Sequence, residues 1–489
     1  MRKAIQTAIA LALFGAAIFG SVPGAAQTSG PSAVERKNRV PYSAEVLRVK
    51  LPKVTEAVLP NGLTVLVLED RRLPLISMRY DIAGGGALYD PADMPGLAAA
   101  AAQIMREGTR SRTSEQIAEE LARLGASVNV SAPYGSTEAS LTASGMSTNF
   151  AEWFDIANDI LLNSCFPPNE VKRYQQRTLV SLRQQRSEPG FLAMERFRSA
   201  LYGDSPAAII STNADVVGKL KTQMLNEWRR TRLTPQNTVV GIAGDVRASD
   251  VIRKLEKATA AWKRSELTEE LPPTPGAAPG GKVLLVDRPG SVQTTIYLGN
   301  VALDRRDPDY IPLVVANRVL GGNASARLFL NLREEKGYTY GAYSQLQASK
   351  YPGPWRAYAD VRTEVTEGAM REFMREIHRM SDERVPATEL AEVQRSIVGS
   401  FALSLEDKDT LLGYAMTRKL YNLPEDYWDT YPAKVMAVTP ADIERVARKY
   451  MNPERLQIVA VGDASKVRDI FGRYGAVELY GIDGTRARQ

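Results

Sequence analysis

The sequence has one cysteine, Cys165, and one histidine, His378, among its 489 residues. A lone cysteine excludes an intrachain disulfide, and a lone histidine cannot build a histidine-rich or thiolate zinc site. Ser-His-Asp and Cys-His catalysis are also excluded unless His378 serves, and no nucleophile motif lies near it. We expect Cys165 to be a small buried hydrophobe and His378 to lie on a solvated helix face.

Charge of one sign is not concentrated anywhere in the chain. Lysine and arginine number 62, against 56 aspartate and glutamate residues, and the two signs are interspersed. This pattern does not favour a nucleic-acid partner. With 44% hydrophobic and 24% charged residues, the composition is typical of a soluble globular protein.

A long apolar run is also missing, apart from a short one near the beginning. Arg2 and Lys3 precede the apolar residues 8–19, and small residues follow up to Ala26. This run is shorter than the roughly 20 residues that span a bilayer, and its layout predicts a signal peptide over residues 1–26. An uncleaved anchor is the alternative. We expect export, most simply to the periplasm, and no transmembrane segment after cleavage.

The rest of the chain reads as two copies of one α+β unit, each an antiparallel-rich sheet covered by helices. After an N-terminal arm at residues 27–50, we predict domains at residues 51–263 and 282–489, joined by a Pro/Gly-rich linker at 264–281. The buried strands Asn237–Gly244 and Leu456–Gly462 correspond to each other in the two copies.

Local signals predict several elements within these units. Asn61-Gly62 is typical of a hairpin turn, and helices are expected at Pro95–Glu107, at Thr113–Leu124 with Ser114 as its cap, and over residues 206–232.

Residues 320–345 combine a helix and a strand around a glycine. Apolar spacing predicts a helix from Ala324 to Lys336, Gly337 suits the C′ position, and a strand follows from Tyr338 to Gln345. Arg333 in the last helical turn and Tyr340 on the strand can therefore converge on one peptide carbonyl. The alternative is structural: the arginine offsets the helix dipole and the tyrosine belongs to a core.

The sequence resembles the pitrilysin/insulinase-type zinc peptidases, and within them the two-domain, processing-peptidase-like members. The resemblance covers most of residues 51–475. It rests on Pro60–Leu63 (PNGL), on Pro95–Ala98 (PGLA) and Glu107–Thr109 (EGT) flanking a helix, on residues 332–344, and on the duplicated layout.

The resemblance implies a zinc site that this chain has lost. Active members carry H-x-x-E-H on this helix, and the matching places hold Ala99, Ala102 and Gln103. The family's third ligand, a glutamate, falls within Val171–Ser187, which contains no acidic residue. We therefore expect no metal or other cofactor in this chain.

The resemblance also implies a function. In the family an arginine and a tyrosine seven residues apart hold the substrate backbone, and Arg333 and Tyr340 match them. This predicts a non-catalytic subunit of a heterodimeric metallopeptidase, with peptide as substrate and zinc in a homologous partner. The alternative is a non-enzymatic envelope scaffold or peptide-binding pseudo-peptidase.

Overall fold

Two six-stranded sheets organise the protein, which is described here by a computed structural model covering residues 48–267, 270–273 and 280–487. The predicted signal peptide, nearly all of the N-terminal arm and part of the linker lie outside these residues. Within them, no helix is both long and apolar enough to cross a membrane.

The first half of the chain forms one sheet and its helices. The strands are β1 Thr55–Val58, β2 Thr64–Glu69, β3 Leu75–Ala83, β4 Ser127–Ser131, β5 Glu138–Met146 and β6 Thr238–Gly244. The helices are α1 Leu97–Ile104, α2 Ser114–Arg123, α3 Phe150–Asn163, α4 Pro168–Gln185, α5 Pro189–Tyr202, α6 Ala214–Lys219, α7 Thr222–Arg232 and α8 Ala248–Thr259.

The second half repeats this plan. Its strands are β7 Lys282–Asp287, β8 Gln293–Val301, β9 Thr339–Leu346, β10 Pro354–Arg362, β11 Gln457–Gly462 and β12 Ala476–Tyr480. Its helices are α9 Tyr310–Leu320, α10 Arg327–Phe329, α11 Thr366–Asp382, α12 Ala387–Ser404, α13 Lys408–Leu420, α14 Tyr427–Met436, α15 Pro440–Tyr450 and α16 Ala464–Phe471. A π-helical segment, Leu330–Glu335, continues α10.

The strand orders confirm the predicted duplication. The first sheet runs β1-β2-β6-β3-β5-β4 and the second runs β12-β7-β11-β8-β10-β9. Most neighbouring strands are antiparallel, but β2–β6, β7–β11 and β7–β12 are parallel. The α+β class and the two antiparallel-rich, helix-covered sheets are therefore confirmed.

One helix from each half lies on the sheet of the other half. Helix α5 packs against β8 and β11 of the second sheet, and α13 packs against β2 and β6 of the first. Leu192 and Phe197 of α5 share a buried cluster with Val459, while Leu412 and Met416 of α13 are buried with the first sheet. This exchange unites the two halves in one compact unit.

Several local predictions are confirmed and others are wrong. Asn61 and Gly62 turn the chain between β1 and β2, with a φ of 89° at Gly62. Residues 206–232, where helix is expected, contain two separate helices, α6 and α7. Helix α2 is capped by Thr113 and not by Ser114, because the Thr113 hydroxyl accepts the Gln116 N–H in a capping box.

Candidate functional site

A glycine and a carboxylate hold the N-terminus of helix α1, which carries the zinc-motif positions. Gly96 has a φ of 94°, and a Cβ there would lie 2.4 Å from the Tyr134 hydroxyl, so no other residue fits easily. The Asp90 carboxylate accepts the N–H groups of Gly96 (2.7 Å) and Ala98 (2.9 Å). Burial raises the pKa of Asp90 to about 6, although these backbone hydrogen bonds oppose the rise.

The zinc-motif positions themselves do not form a metal site. Ala102 is fully buried and Ala99 is 9% exposed, whereas Gln103 faces solvent. Methyl groups cannot coordinate zinc, and α4, which packs against α1, supplies no acidic residue between Val171 and Ser187. Nowhere in the described residues do three or more histidine, cysteine, aspartate or glutamate side chains gather as a metal site would require. The residues present do not fit the family's zinc ion.

Arg333 lies in the π-helical segment that follows α10. The predicted helix starts later than expected, at Arg327, and its last turn is wide, because the Lys336 N–H donates to the Asn331 carbonyl five residues earlier (3.0 Å). The Arg333 guanidinium lies 4.8 Å from the centre of the Phe329 ring. Its side chain is 46% exposed and its Nε is 3.4 Å from the carboxylate of its neighbour Glu334. π-Turns often mark functional positions.

A buried polar anchor lies beneath this turn. The Asn331 amide is 4% exposed and donates to Glu372 (3.1 Å) and Glu376 (2.7 Å) on α11. Arg375 and Arg379 balance these carboxylates at 3.1 Å and 2.8 Å. We did not predict this anchor from the sequence; its signal was a lone amide at a buried position of an apolar helix.

Tyr340 lies at an irregularity in the edge strand β9. The pairing of β9 with β10 shifts at Asp360, so this residue faces both Tyr340 and Gly341. The Thr339 hydroxyl supports the bulge, donating to the Asp360 carbonyl at 2.6 Å. Tyr340 is 88% exposed. A bulge re-aims a side chain, and such features occur often beside active sites.

The turn between Arg333 and Tyr340 forms as predicted. Gly337 has a φ of 63°, and the Tyr338 N–H closes the turn on the Leu332 carbonyl at 2.8 Å. Within the described part of the chain, no hydrogen bond or ring contact joins Arg333 to Tyr340. Both are open to solvent, so their convergence on a substrate stays a prediction, and neither belongs to a core.

The single histidine and the single cysteine of the chain lie away from the zinc-motif positions and from Arg333 and Tyr340. His378 on α11 is 51% exposed, with Nδ1 3.6 Å from Asp382. Cys165 is only partly buried, and its thiol donates to the Thr109 carbonyl at 3.2 Å. The expectation of a buried Cys165 is therefore wrong in degree, because Cys165 lies in the short connection between α3 and α4.

Two family models match the chain. The model described as insulinase (peptidase family M16) matches residues 82–213. The model described as the peptidase M16 inactive domain matches residues 219–397, which include Arg333 and Tyr340.

Relatives from several bacteria align along most of their length. An uncharacterized zinc protease of Streptomyces coelicolor is 25% identical over 81% of this chain and 86% of its own. A protein named non-peptidase homolog YmxG of Helicobacter pylori is 20% identical over 82% of this chain and 92% of its own.

Solved structures share the fold. A peptidase M16 inactive domain from Pseudomonas fluorescens superimposes with a TM-score of 0.78 at 24% identity, over 84% of this chain and 98% of that one. A protease from Helicobacter pylori does so with a TM-score of 0.76 at 17% identity, over 84% of this chain and all of that one. With its duplicated sheets and these matches, the chain belongs to the insulinase-type (M16) peptidase family.

Proposed function

We propose that this protein is an exported, non-catalytic subunit of a heterodimeric metallopeptidase. A homologous partner would bind the zinc ion, and this chain would supply Arg333 and Tyr340 to the peptide substrate. One observation carries the proposal. The zinc-motif alanines of α1 are buried, while Arg333 and Tyr340 are exposed at or beside the edge strand β9.

The two side chains suit a peptide bond under attack. A carbonyl oxygen gains negative charge as its carbon becomes tetrahedral, and donors aimed at this oxygen lower the barrier. A guanidinium and a phenol are such donors. Strand β9 lies at the edge of its sheet, so an extended substrate can pair with it through main-chain hydrogen bonds.

Co-expression with a zinc-bearing homologue tests this function. We expect Arg333→Ala and Tyr340→Phe each to lower kcat of the pair on the order of 100-fold, as the loss of an oxyanion donor does elsewhere. Assembly of the two chains should be unchanged by size-exclusion chromatography.

Arg230→Ala is the matched control, because Arg230 is an exposed arginine paired with Glu227 on the first half. Peptidase activity that survives the Arg333/Tyr340 double substitution unchanged would show the proposed role to be wrong.

A second candidate is an envelope scaffold or peptide-binding pseudo-peptidase without a catalytic partner. The Helicobacter pylori relative named as a non-peptidase homolog favours it. A neighbouring reading frame with an intact H-x-x-E-H helix would favour the heterodimer. Purification from its own cells as a lone homodimer would favour the scaffold.

A further inference from the structure

The duplicated architecture provides an internal comparison between its two exchanged helices. In the second sheet, the face toward α5 is filled by aromatic rings. Tyr297, Tyr358 and Tyr343 lie on neighbouring strands, with ring centres 5.8 and 6.2 Å apart, and Phe197 of α5 lies 5.9 Å from Tyr297. Large side chains therefore fill the interface between α5 and the second sheet.

The strand registers identify the matching positions in the first sheet. Tyr297 pairs with Val459 on β11, and Arg79 pairs with Gly241 on β6. Val459 and Gly241 each lie three residues before the glycine that ends their strand. Arg79 is therefore the counterpart of Tyr297.

The next two positions along the same face carry short polar side chains. Thr142 pairs with Arg79, and Asn129 pairs with Thr142, so they are the counterparts of Tyr358 and Tyr343. Three aromatic rings are thus replaced by one arginine and two short polar side chains. The space that rings fill in one half is left empty in the other.

A cavity occupies this space. It has a volume of about 780 Å³ and lies between β3, β4, β5 and α13, and a neighbouring compartment of about 290 Å³ shares Arg79, Thr142, Asp409 and Gly413 with it. At Gly413 of α13, an added Cβ would meet nothing within 4 Å. At Gly241, by contrast, it would lie 2.6 Å from the Met416 sulfur. Helix α13 thus packs closely on β6 at Gly241 and leaves open space beside Gly413.

The charge of the lining is negative in a chain whose overall charge is positive. Four carboxylates face two guanidinium groups, namely Asp81, Glu138, Asp407 and Asp409 against Arg79 and Arg305. Adding Lys408, which pairs with Asp409 at 2.9 Å, still leaves an excess of one negative charge. The cavity therefore favours a cationic ligand.

The remaining lining suits a peptide. Hydroxyl groups, each able to donate and accept, come from Ser131, Ser136, Ser140, Thr142, Thr410 and Thr417, and aromatic walls come from Tyr414, Tyr421 and Trp428. From Asp409 to Leu420 the cavity follows twelve residues of α13, a rise of about 16 Å. An extended peptide covers this length with about five residues.

We propose that this cavity binds a short basic peptide of about five residues. The hydroxyl groups bond the peptide amides, and the aromatic walls contact the aliphatic stems and ammonium groups of basic side chains. A neutral saccharide would match the hydroxyls and rings but would gain nothing from the negative charge. The proposal does not require a zinc-bearing partner.

Calorimetric titration of the isolated, full-length exported chain tests the proposal. The probes are the pentapeptides Ala-Lys-Ala-Lys-Ala and Ala-Glu-Ala-Glu-Ala with free amino termini, and maltopentaose. We expect the basic peptide to bind at least tenfold more tightly than the other two, and to weaken with rising salt.

Gly413→Leu fills the cavity from a position with open space and should weaken this binding at least tenfold. Gly399→Leu is the matched control, since Gly399 is also a helical glycine with nothing within 4 Å but lies on α12. If Gly413→Leu fails to fold, Asp409→Lys replaces it, because that side chain is 54% exposed, so a longer side chain can extend into solvent while the charge is reversed.

Three results would overturn the proposal. They are no binding of the basic peptide, binding unchanged by both cavity variants, and preference for the acidic peptide or the saccharide.

Discussion

Replacing Ala102 by glutamate tests whether this zinc-motif position on α1 is closed to solvent. Ala102 is fully buried in a layer where α1 packs against α4, α7 and β4. A carboxyl group buried there loses its hydration, so it folds in its neutral form. Keeping a group with a pKa of about 4.3 protonated at pH 7 costs about 4 kcal/mol, and the added volume costs about 1–3 kcal/mol more. We expect Ala102→Glu to lower the free energy of unfolding by at least about 5 kcal/mol.

The sign of the pH dependence follows from the same reasoning. Burial raises the folded-state pKa of the new glutamate, so stability is lost as pH rises from the unfolded-state pKa to the folded-state pKa. Between pH 7 and pH 5 about 3 kcal/mol should be recovered. Urea denaturation followed by tryptophan fluorescence at both pH values measures this change.

The neighbouring position supplies a matched control. Gln103→Glu puts the same residue on the exposed side of the same helix and should change stability by less than about 0.5 kcal/mol. If Ala102→Glu lowers the free energy of unfolding no more than Gln103→Glu does, then α1 faces an open space at Ala102 and the assigned burial is wrong. A triple variant Ala99→His, Ala102→Glu, Gln103→His that bound stoichiometric zinc by metal analysis would equally refute it.

Two further outcomes follow from the fold. Phe197→Ala should cost about 3–5 kcal/mol in urea denaturation, because this fully buried ring joins α5 to the second sheet. Asp90 has a folded-state pKa of about 6, above its unfolded value, so stability should fall by about 2 kcal/mol as pH rises from 4 to 6. Asp90→Asn should flatten this slope in denaturation curves across that range.

Each of these outcomes has its own check. Val180→Ala removes apolar atoms from an exposed position on α4 and should change stability little, so an equal effect of Phe197→Ala would contradict the helix exchange. An unaltered slope in Asp90→Asn would assign the pH dependence to other carboxylates.

Local patterns predicted most strands and their turns. The Asn-Gly pair predicted the β1–β2 turn, and the sequence also predicts strands at Ser127–Ala132 and Ser136–Ser144, which the structure has as β4 and β5. The sequence predicts two further helices at about Phe150–Asn163 and Pro168–Gln185, and the structure has both with these bounds. Gly337 marked the helix end before β9 because a left-handed residue is needed there.

The exchanged helices were not predicted. Neither α5 nor α13 was anticipated, because the surface that buries each one belongs to the other half of the chain and leaves no local signal. The π-turn at Arg333 and the bulge at Tyr340 also escaped prediction. Each depends on distant partners, the α11 carboxylates beneath Asn331 and the strand β10 opposite Tyr340.

The sequence by itself determined which chemistry this protein lacks, because alanine has no lone pair to offer a metal wherever the chain places it. It also determined the duplicated sheets, since hydrophobic periodicity is a local property. Only the tertiary structure decided that Ala102 is buried and that Arg333 and Tyr340 are exposed. It also decided that the first sheet borders a polar cavity where the second sheet is covered by aromatic rings. These properties depend on how residues far apart in the chain pack together, and packing is decided by the whole fold.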